Sequence, residues 1–252
     1  MKLSALRLGD CCCPLETILP GVDDGLQTHL PVSSYLIELD DGALALIDTG
    51  MSRVHIEDPS ATWRGMPQDK VLTPVMRPED SLLHRLGELG VDPRDIQYVI
   101  NTHLHFDHAG NNDLLGGATF FVQRDQYEFA KDNPSFPNQY WNLPALRYEL
   151  LDGVAEPLPG VRVIPTPGHT PGHQSVLLRL PNTGAVIVCG DAVYCEDNYR
   201  HDSWDGQADP ETARISALRL RDVAAEHAAT MFYGHDRKQA LTMRWAPQEH
   251  YT

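Results

Sequence analysis

One six-residue run, His103-Leu104-His105-Phe106-Asp107-His108, constrains this chain more than any other segment. It places three imidazoles and a carboxylate together directly after the apolar run Gln97-Tyr98-Val99-Ile100, at the exit of an expected strand. Such a cluster is costly to bury unless a cation satisfies it. In an extended stretch, residues two apart point the same way, so His103 and His105 can reach one metal. Asp107 and His108 are neighbours, point differently, and can serve a second metal nearby. The alternative, a solvated histidine-rich turn, would require nothing further downstream.

Three downstream segments repeat the pattern of apolar run, glycine and ligand-type side chain. Thr166-Pro167-Gly168-His169-Thr170-Pro171-Gly172-His173 follows Val161-Arg162-Val163-Ile164, Gly190-Asp191 follows Ala185–Cys189, and Gly234-His235-Asp236 follows Thr230-Met231-Phe232. Glycine permits sharp turns and close backbone approach, which is how a sheet delivers side chains to one edge. The set His103, His105, Asp107, His108, His169, Asp191 and His235 suits two divalent ions with positions open for water and substrate.

In this order the motifs resemble the metallo-β-lactamase superfamily over nearly the whole chain. The resemblance implies an α/β fold, an αβ/βα sandwich with a dinuclear metal site at the edge between two sheets, formed by residues 1–252 as a single domain. It implies one metal on His103, His105 and His169, a second on Asp107, His108 and His235, and Asp191 bridging them. Ile47-Asp48-Thr49-Gly50 also matches, with Asp48 orienting a ligand histidine from behind. Within the superfamily, His103–Gly110, Thr166–Ser175 and Asp191-Ala192-Val193-Tyr194 look like the N-acyl homoserine lactone lactonases, whose distinguishing tyrosine falls where Tyr194 stands. The implied function is quorum quenching, in which a metal-bridging hydroxide attacks the lactone ring of an acyl lactone. A glyoxalase II-like thioesterase and a phosphotriesterase or arylesterase are the alternatives. A diiron redox relative would be expected to carry Glu at His105, and the commonest zinc β-lactamases Cys at Asp191.

The expected chemistry follows from these ligands. Two cations acidify a bound water and create a nucleophile without a dedicated base. Tyr194 would hold the developing oxyanion with a metal, and Asp107 would return a proton to the departing alkoxide. Phe106 would press on the lactone ring or pack in the core. His173 is expected to support its glycine-rich turn and Asp236 to stand behind a ligand. Zinc suits the donors first, with iron, cobalt and manganese as alternatives.

The chain has 252 residues, enough for one large core, and a formal net charge of −15, which argues against a nucleic-acid surface. No apolar run approaches the ~18 residues of a membrane span, and Arg7 and Asp10 interrupt any signal-peptide core. The five cysteines fit a reducing compartment. A cytoplasmic enzyme is therefore expected, monomeric or homodimeric, without membrane or nucleic-acid partners. Cys11-Cys12-Cys13 reads as packing in a strand-to-loop region, and Cys189 as core.

Alternation and apolar runs predict strands at 3–9, 32–39, 43–48, 97–101, 119–123, 161–165, 174–180, 185–189 and 230–233. Helices are expected over 79–89, over 124–131, and after Asp209-Pro210, where a cap precedes a proline in the first turn. The last carries Ala213, Ala217, Leu220 and Ala224 on one stripe. Residues 14–31, 51–78 and 132–146 read as irregular, and long loops are often functional. Trp63, Met66, Phe136, Tyr140, Trp141 and Leu143 are candidates to line an acyl cleft.

Overall fold

The computed structural model describes residues 1–22 and 25–252. Its strands form two sheets. The first sheet has the order β4-β1-β2-β3-β5-β6-β7, with β1 Lys2–Pro14, β2 Gln27–Glu38, β3 Leu44–Ile47, β4 Thr73–Val75, β5 Ile96–Ile100, β6 Thr119–Gln123 and β7 Arg147–Leu151. The second has the order β12-β11-β10-β9-β8, with β8 Ala155–Leu158, β9 Val161–Pro165, β10 Gln174–Leu180, β11 Gly184–Val188 and β12 Thr230–Phe232. The helices are α1 Leu82–Glu88, α2 Phe106–Ala109, α3 Arg124–Lys131, α4 Asn138–Trp141, α5 Glu196–His201, α6 Pro210–His227 and α7 Arg237–Ala240.

The interior strands are apolar on both faces because both faces are covered, and side-chain alternation splits them between two cores. Leu3, Ala5, Ile37, Ala45, Ile47 and Ile100 point inward and meet Val161, Val163, Val176 and Val186 of the second sheet. Leu6, Leu8, Leu36, Leu46, Val99 and Phe120 point outward against Leu82 and Leu86 of α1. On the far side, Ala217, Leu220 and Ala224 of α6 cover Leu177, Ala185 and Ile187. Helix α6 starts as its sequence predicts: the Asp209 side chain accepts the Thr212 N–H, and Pro210 occupies the first turn. The result is the sandwich expected from the motifs.

Several element expectations are corrected. Strand β1 runs on to Pro14 and β2 begins at Gln27, inside the stretch read as irregular; Cys11 pairs with Leu30 and Cys13 with Thr28. The signal was hidden because the register shifts between Arg7 and Asp10, which breaks the alternation. Residues 23 and 24 of that stretch lie outside the described residues. The three cysteines are thus strand residues, Cys11 and Cys13 buried and Cys12 half-buried. Strands β4, β7 and β8 were not expected. All three are at or next to sheet edges, and their exposed positions weaken the apolar signal. Helix α1 is shorter than 79–89, since Pro78–Asp80 forms a separate 3₁₀ turn.

Candidate metal centre

Every ligand-type residue singled out by the sequence lies at one end of the sandwich. His103 and His105 leave β5, and Asp107 and His108 sit in the one-turn helix α2 that follows. His169 lies in the connection between β9 and β10, Asp191 in the 3₁₀ turn Gly190–Ala192 after β11, and His235 after β12. Asp107 and His108 therefore diverge because they are on a helical turn, not because a strand continues.

Two glycines make the β9–β10 connection possible. Gly172 has φ +69°, and a Cβ there would stand 2.1 Å from the Gln126 backbone nitrogen. Gly168 has φ +132°, and a Cβ would stand 2.3 Å from Ala213 backbone atoms. The loop is thus pressed onto both α3 and α6, which holds His169 over the sheet edge. His173 supports it as expected: its Nδ1 lies 2.8 Å from Thr166 Oγ1, and its Nε2 accepts the Asp191 N–H at 3.0 Å.

The donor atoms converge in two groups. His103 Nε2, His105 Nδ1 and His169 Nε2 lie 2.9, 2.9 and 3.2 Å from one another. Asp107, His108 and His235 bring one donor atom each within 4.8 Å of the others. Asp191 lies between the groups. Its Oδ1 is 3.1 Å from His108 Nε2 and 3.2 Å from His235 Nε2, while its Oδ2 is 3.5 Å from His169 Nε2 and 3.9 Å from His103 Nε2.

These residues fit a pair of cations. His108 Nε2 and Asp191 Oδ1 are buried and close, yet neither makes a hydrogen bond among the described residues. Burial pushes the His103 imidazole well below its usual range, reinforced by His108, His169 and His105, and burial likewise holds His105 and His169 down. Neutral imidazoles facing one another nitrogen to nitrogen cannot all donate, whereas all can ligate. At Asp191 burial pushes the carboxyl up, but His235, His108 and His169 outweigh it and hold the group well below the carboxylate range. His108 runs the other way: burial lowers it, and Asp191, Asp107 and Asp48 raise it well above a normal imidazole.

A second layer fixes the rings from behind. Asp48, at φ +56°, accepts the Thr102 N–H and hydroxyl, each at 2.7 Å, and its Oδ2 lies 2.8 Å from His108 Nδ1. This is the orienting position expected for it. His235 Nδ1 lies 3.0 Å from the Pro31 carbonyl oxygen, and His169 Nδ1 lies 2.9 Å from Gln207 Oε1. Gln207 Nε2 also donates to the Asp191 carbonyl, so one amide ties two ligand loops together. Gln174 joins the sheets beneath the site, donating its N–H to Thr102 O and its side-chain amide to Asn101 O. Neither glutamine role was read from the sequence, because nothing local marks a residue whose partners lie far away in the chain. Asp236 is a correction. Rather than backing a ligand, it caps α7 through the Lys238 and Gln239 N–H groups and accepts the Glu196 N–H.

Beside the ligands opens a cavity of about 230 Å³ lined by His105, Asp107, His169, Asp191, Tyr194 and His235. Its apolar wall is Ile18, Leu30, Trp63, Leu72 and Phe106. Phe106 both packs and lines: it is 3% exposed and edges onto Trp63 at 5.4 Å between ring centroids. Of the cleft candidates, Trp63 stands in this wall. Phe136 stacks on His105 at 4.3 Å and lines an adjoining hollow. The others are corrected. Trp141 is core beneath α2 and α3, Tyr140 bonds Thr62 Oγ1 at 2.8 Å, and Met66 packs on the outer core without lining the cavity. Leu143 is half-buried outside the wall. Leu30, Leu72 and Ile18 were missed because stretches read as loops carry no periodicity by which a lining face could be recognised.

Tyr194 is at the cavity edge, its carbonyl accepting the His235 N–H at 2.8 Å. Its phenol oxygen is 3.0 Å from His169 Nδ1, while Gly206 O is a distant 3.5 Å. If His169 Nε2 is turned to a metal, Nδ1 carries the proton and donates to Gln207 and the phenol oxygen. The phenol hydrogen then keeps no good protein acceptor among the described residues. Burial, with Asp191 and Asp107 adding, pushes the phenol well above its usual pKa, so that hydrogen stays on.

Comparisons with known proteins agree with this geometry. Residues 28–235 match the family model of the Metallo-beta-lactamase superfamily. The chain is 33% identical over 247 residues to an N-acyl homoserine lactonase of Bacillus thuringiensis, covering 98% of each chain. It is 35% identical over 249 residues to an N-acyl homoserine lactonase of Bacillus cereus, again covering 98% of each. A solved structure of an N-acyl homoserine lactone hydrolase, with the product N-hexanoyl-L-homoserine bound at its catalytic metal centre, superposes with a TM-score of 0.92 at 33% identity, covering 99% of this chain and 98% of that one. The chain therefore belongs to the metallo-β-lactamase superfamily and, within it, to the N-acyl homoserine lactonase family.

Proposed function

We propose that this chain is a metal-dependent hydrolase that opens the lactone ring of N-acyl homoserine lactones. The observation that carries the reading is Asp191, which presents one carboxylate oxygen to each of two histidine groups at the floor of an apolar-walled cavity. His103, His105 and His169 would hold one divalent ion, Asp107, His108 and His235 the other, and Asp191 would span both, with zinc the first candidate and iron, cobalt or manganese the alternatives. Bound there, the two cations supply an acidified water as nucleophile and an electrophile for the ring carbonyl.

The chain's own groups do the rest. Tyr194 donates its free phenol hydrogen to the carbonyl oxygen as charge develops there. Asp107 lines the cavity, with Oδ2 3.6 Å from His235 Nε2, and would carry the proton of the attacking hydroxyl to the ring oxygen as the carbon–oxygen bond breaks. Phe106, Trp63 and Leu30 hold the lactone and the start of the acyl chain against an apolar wall and exclude bulk water. The wall contains no Lys or Arg among the described residues, which favours a neutral acyl lactone over the anionic thioester of the thioesterase alternative.

No helix among the described residues is long and apolar enough to cross a membrane, and the five cysteines are unpaired. The unpaired cysteines suit a reducing compartment such as the cytosol.

Ring opening releases a proton, so a panel assayed by proton release tests the function directly. Acyl homoserine lactones of several chain lengths should give a kcat/KM well above that for S-lactoylglutathione or a phosphotriester. The reverse order of preference would move the chain to one of the alternative hydrolase readings.

A further inference from the structure

The connection between α5 and α6 brings one buried side chain, Gln207, up against the ligand loops. That connection is pinned in place. The Gln207 N–H donates to Trp204 O at 2.9 Å, the Asp209 N–H donates to Gly168 O at 2.9 Å, and a Cβ on Gly206 would stand 2.5 Å from Thr17 O. Gln207 Nε2 faces the Asp191 carbonyl oxygen at 2.9 Å. A carbonyl oxygen only accepts, so the amide is oriented with Oε1 towards His169 Nδ1, also at 2.9 Å. An amide oxygen likewise only accepts. Nδ1 must therefore carry the ring proton, which leaves the Nε2 lone pair turned to His103 Nε2 and His105 Nδ1.

Other rings of the centre are turned by groups that accept from them. His108 Nδ1 meets the Asp48 carboxylate, His235 Nδ1 the Pro31 carbonyl, and His103 Nδ1 the Thr102 hydroxyl oxygen, whose own hydrogen goes to Asp48. His169 Nδ1 differs, because its second close neighbour is the Tyr194 phenol at 3.0 Å, a group that can accept or donate. A phenol donating into Nδ1 would move the ring proton to Nε2, where it blocks ligation. We infer that Gln207 is a positioning residue of the metal centre: it holds the His169 proton on Nδ1 against the Tyr194 phenol, and so keeps Nε2 for a cation and the phenol hydrogen for the substrate carbonyl. The inference rests on the dinuclear lactonase reading and deepens it. Through Nε2 the same amide fixes the Asp191 peptide, whose N–H is held by His173 at 3.0 Å. One neutral side chain thus sets a ligand ring and the backbone of the proposed bridge.

The test measures how tightly the zinc-loaded protein holds its ions, by chelator competition followed by elemental analysis of what is retained. Gln207→Leu removes both side-chain hydrogen bonds and keeps a similar volume. It should release its first equivalent at about ten- to a hundredfold lower chelator concentration than wild type, the usual cost of removing the partner of a ligand histidine. Gln207→Glu keeps an oxygen facing Nδ1 and gives up the donor to Asp191. It should hold both ions nearly as tightly as wild type, because a carboxylate is the stronger partner for a ligand imidazole. A role in packing alone predicts that Gln207→Leu behaves like wild type, and a role confined to tying Asp191 predicts that Gln207→Glu falls together with Gln207→Leu. Either result would overturn the inference and leave the lactonase reading standing. A melting curve with zinc in excess checks folding, and Gln207→Met, unbranched and without an amide, replaces a Leu variant that fails to fold. Wild-type protein that takes up no more than about one equivalent of zinc would remove the dinuclear reading, and the inference with it.

Discussion

Asp191 is the proposed bridge between both halves of the centre, since histidines of each group lie within 3.5 Å of its carboxylate. Asp191→Ala should lower the metal bound from about two equivalents per chain, measured by elemental analysis, and should reduce kcat by two or more orders of magnitude, on the order expected for losing a metal ligand. A fully active, fully loaded variant would refute the bridging role. The role proposed for Tyr194, donor to the oxyanion, is narrower. Losing an oxyanion donor typically costs roughly 100-fold in kcat, and sharing the oxyanion with a cation should reduce that to about tenfold. Tyr194→Phe should therefore lower kcat more than it raises KM, with metal content unchanged, and a wild-type kcat would reduce the tyrosine to packing. The candidate ligand residues were legible because histidine and aspartate crowded beside glycine have few other reasons to be there. Gln207 and Gln174 were not, because an amide reveals its role only through partners brought near by folding.

At the scale of elements, the connection between β9 and β10 carries the heaviest constraint. Gly172 combines a left-handed backbone with an approach to α3 that leaves no room for a Cβ. Gly172→Ala should cost about 1–2 kcal/mol for the backbone alone and more for displacing Gln126, read as a lowered melting temperature. Because His169 and His173 flank this turn, the metal affinity should fall with it. A variant as stable as wild type and fully loaded would show that the turn tolerates a side chain. The interior strands were readable from apolar runs, since both of their faces are buried. Edge strand β7, with alternating exposed positions such as Arg147 and Glu149, reads like loop until its parallel pairing with β6 is seen.

For the whole molecule, cations held at this centre are expected to contribute to the fold's stability. Without them, buried imidazoles pushed towards neutrality and a buried carboxylate held ionised must coexist in one place. Binding energy at such a site appears as folding energy: a ligand at 1,000 times its Kd adds about 4 kcal/mol, which for a chain of this length is about 10 °C in Tm. Stripping the metals should lower Tm by at least that much, and zinc or cobalt should restore it. An unchanged melting curve in protein verified to be metal-free would contradict the coupling. What the sequence by itself determined was the list and order of candidate ligand residues, the strands that deliver them, and the family they resemble, because ligand chemistry and buried-strand periodicity are written in residue type and spacing. What only the tertiary structure decided was which side chains meet: Asp191 between two histidine groups, Asp48 behind His108, Gln207 across two loops, and Trp63 rather than Trp141 in the cavity wall. Those contacts join segments far apart in the chain, and their geometry follows from how two sheets and their loops pack, which no local pattern encodes.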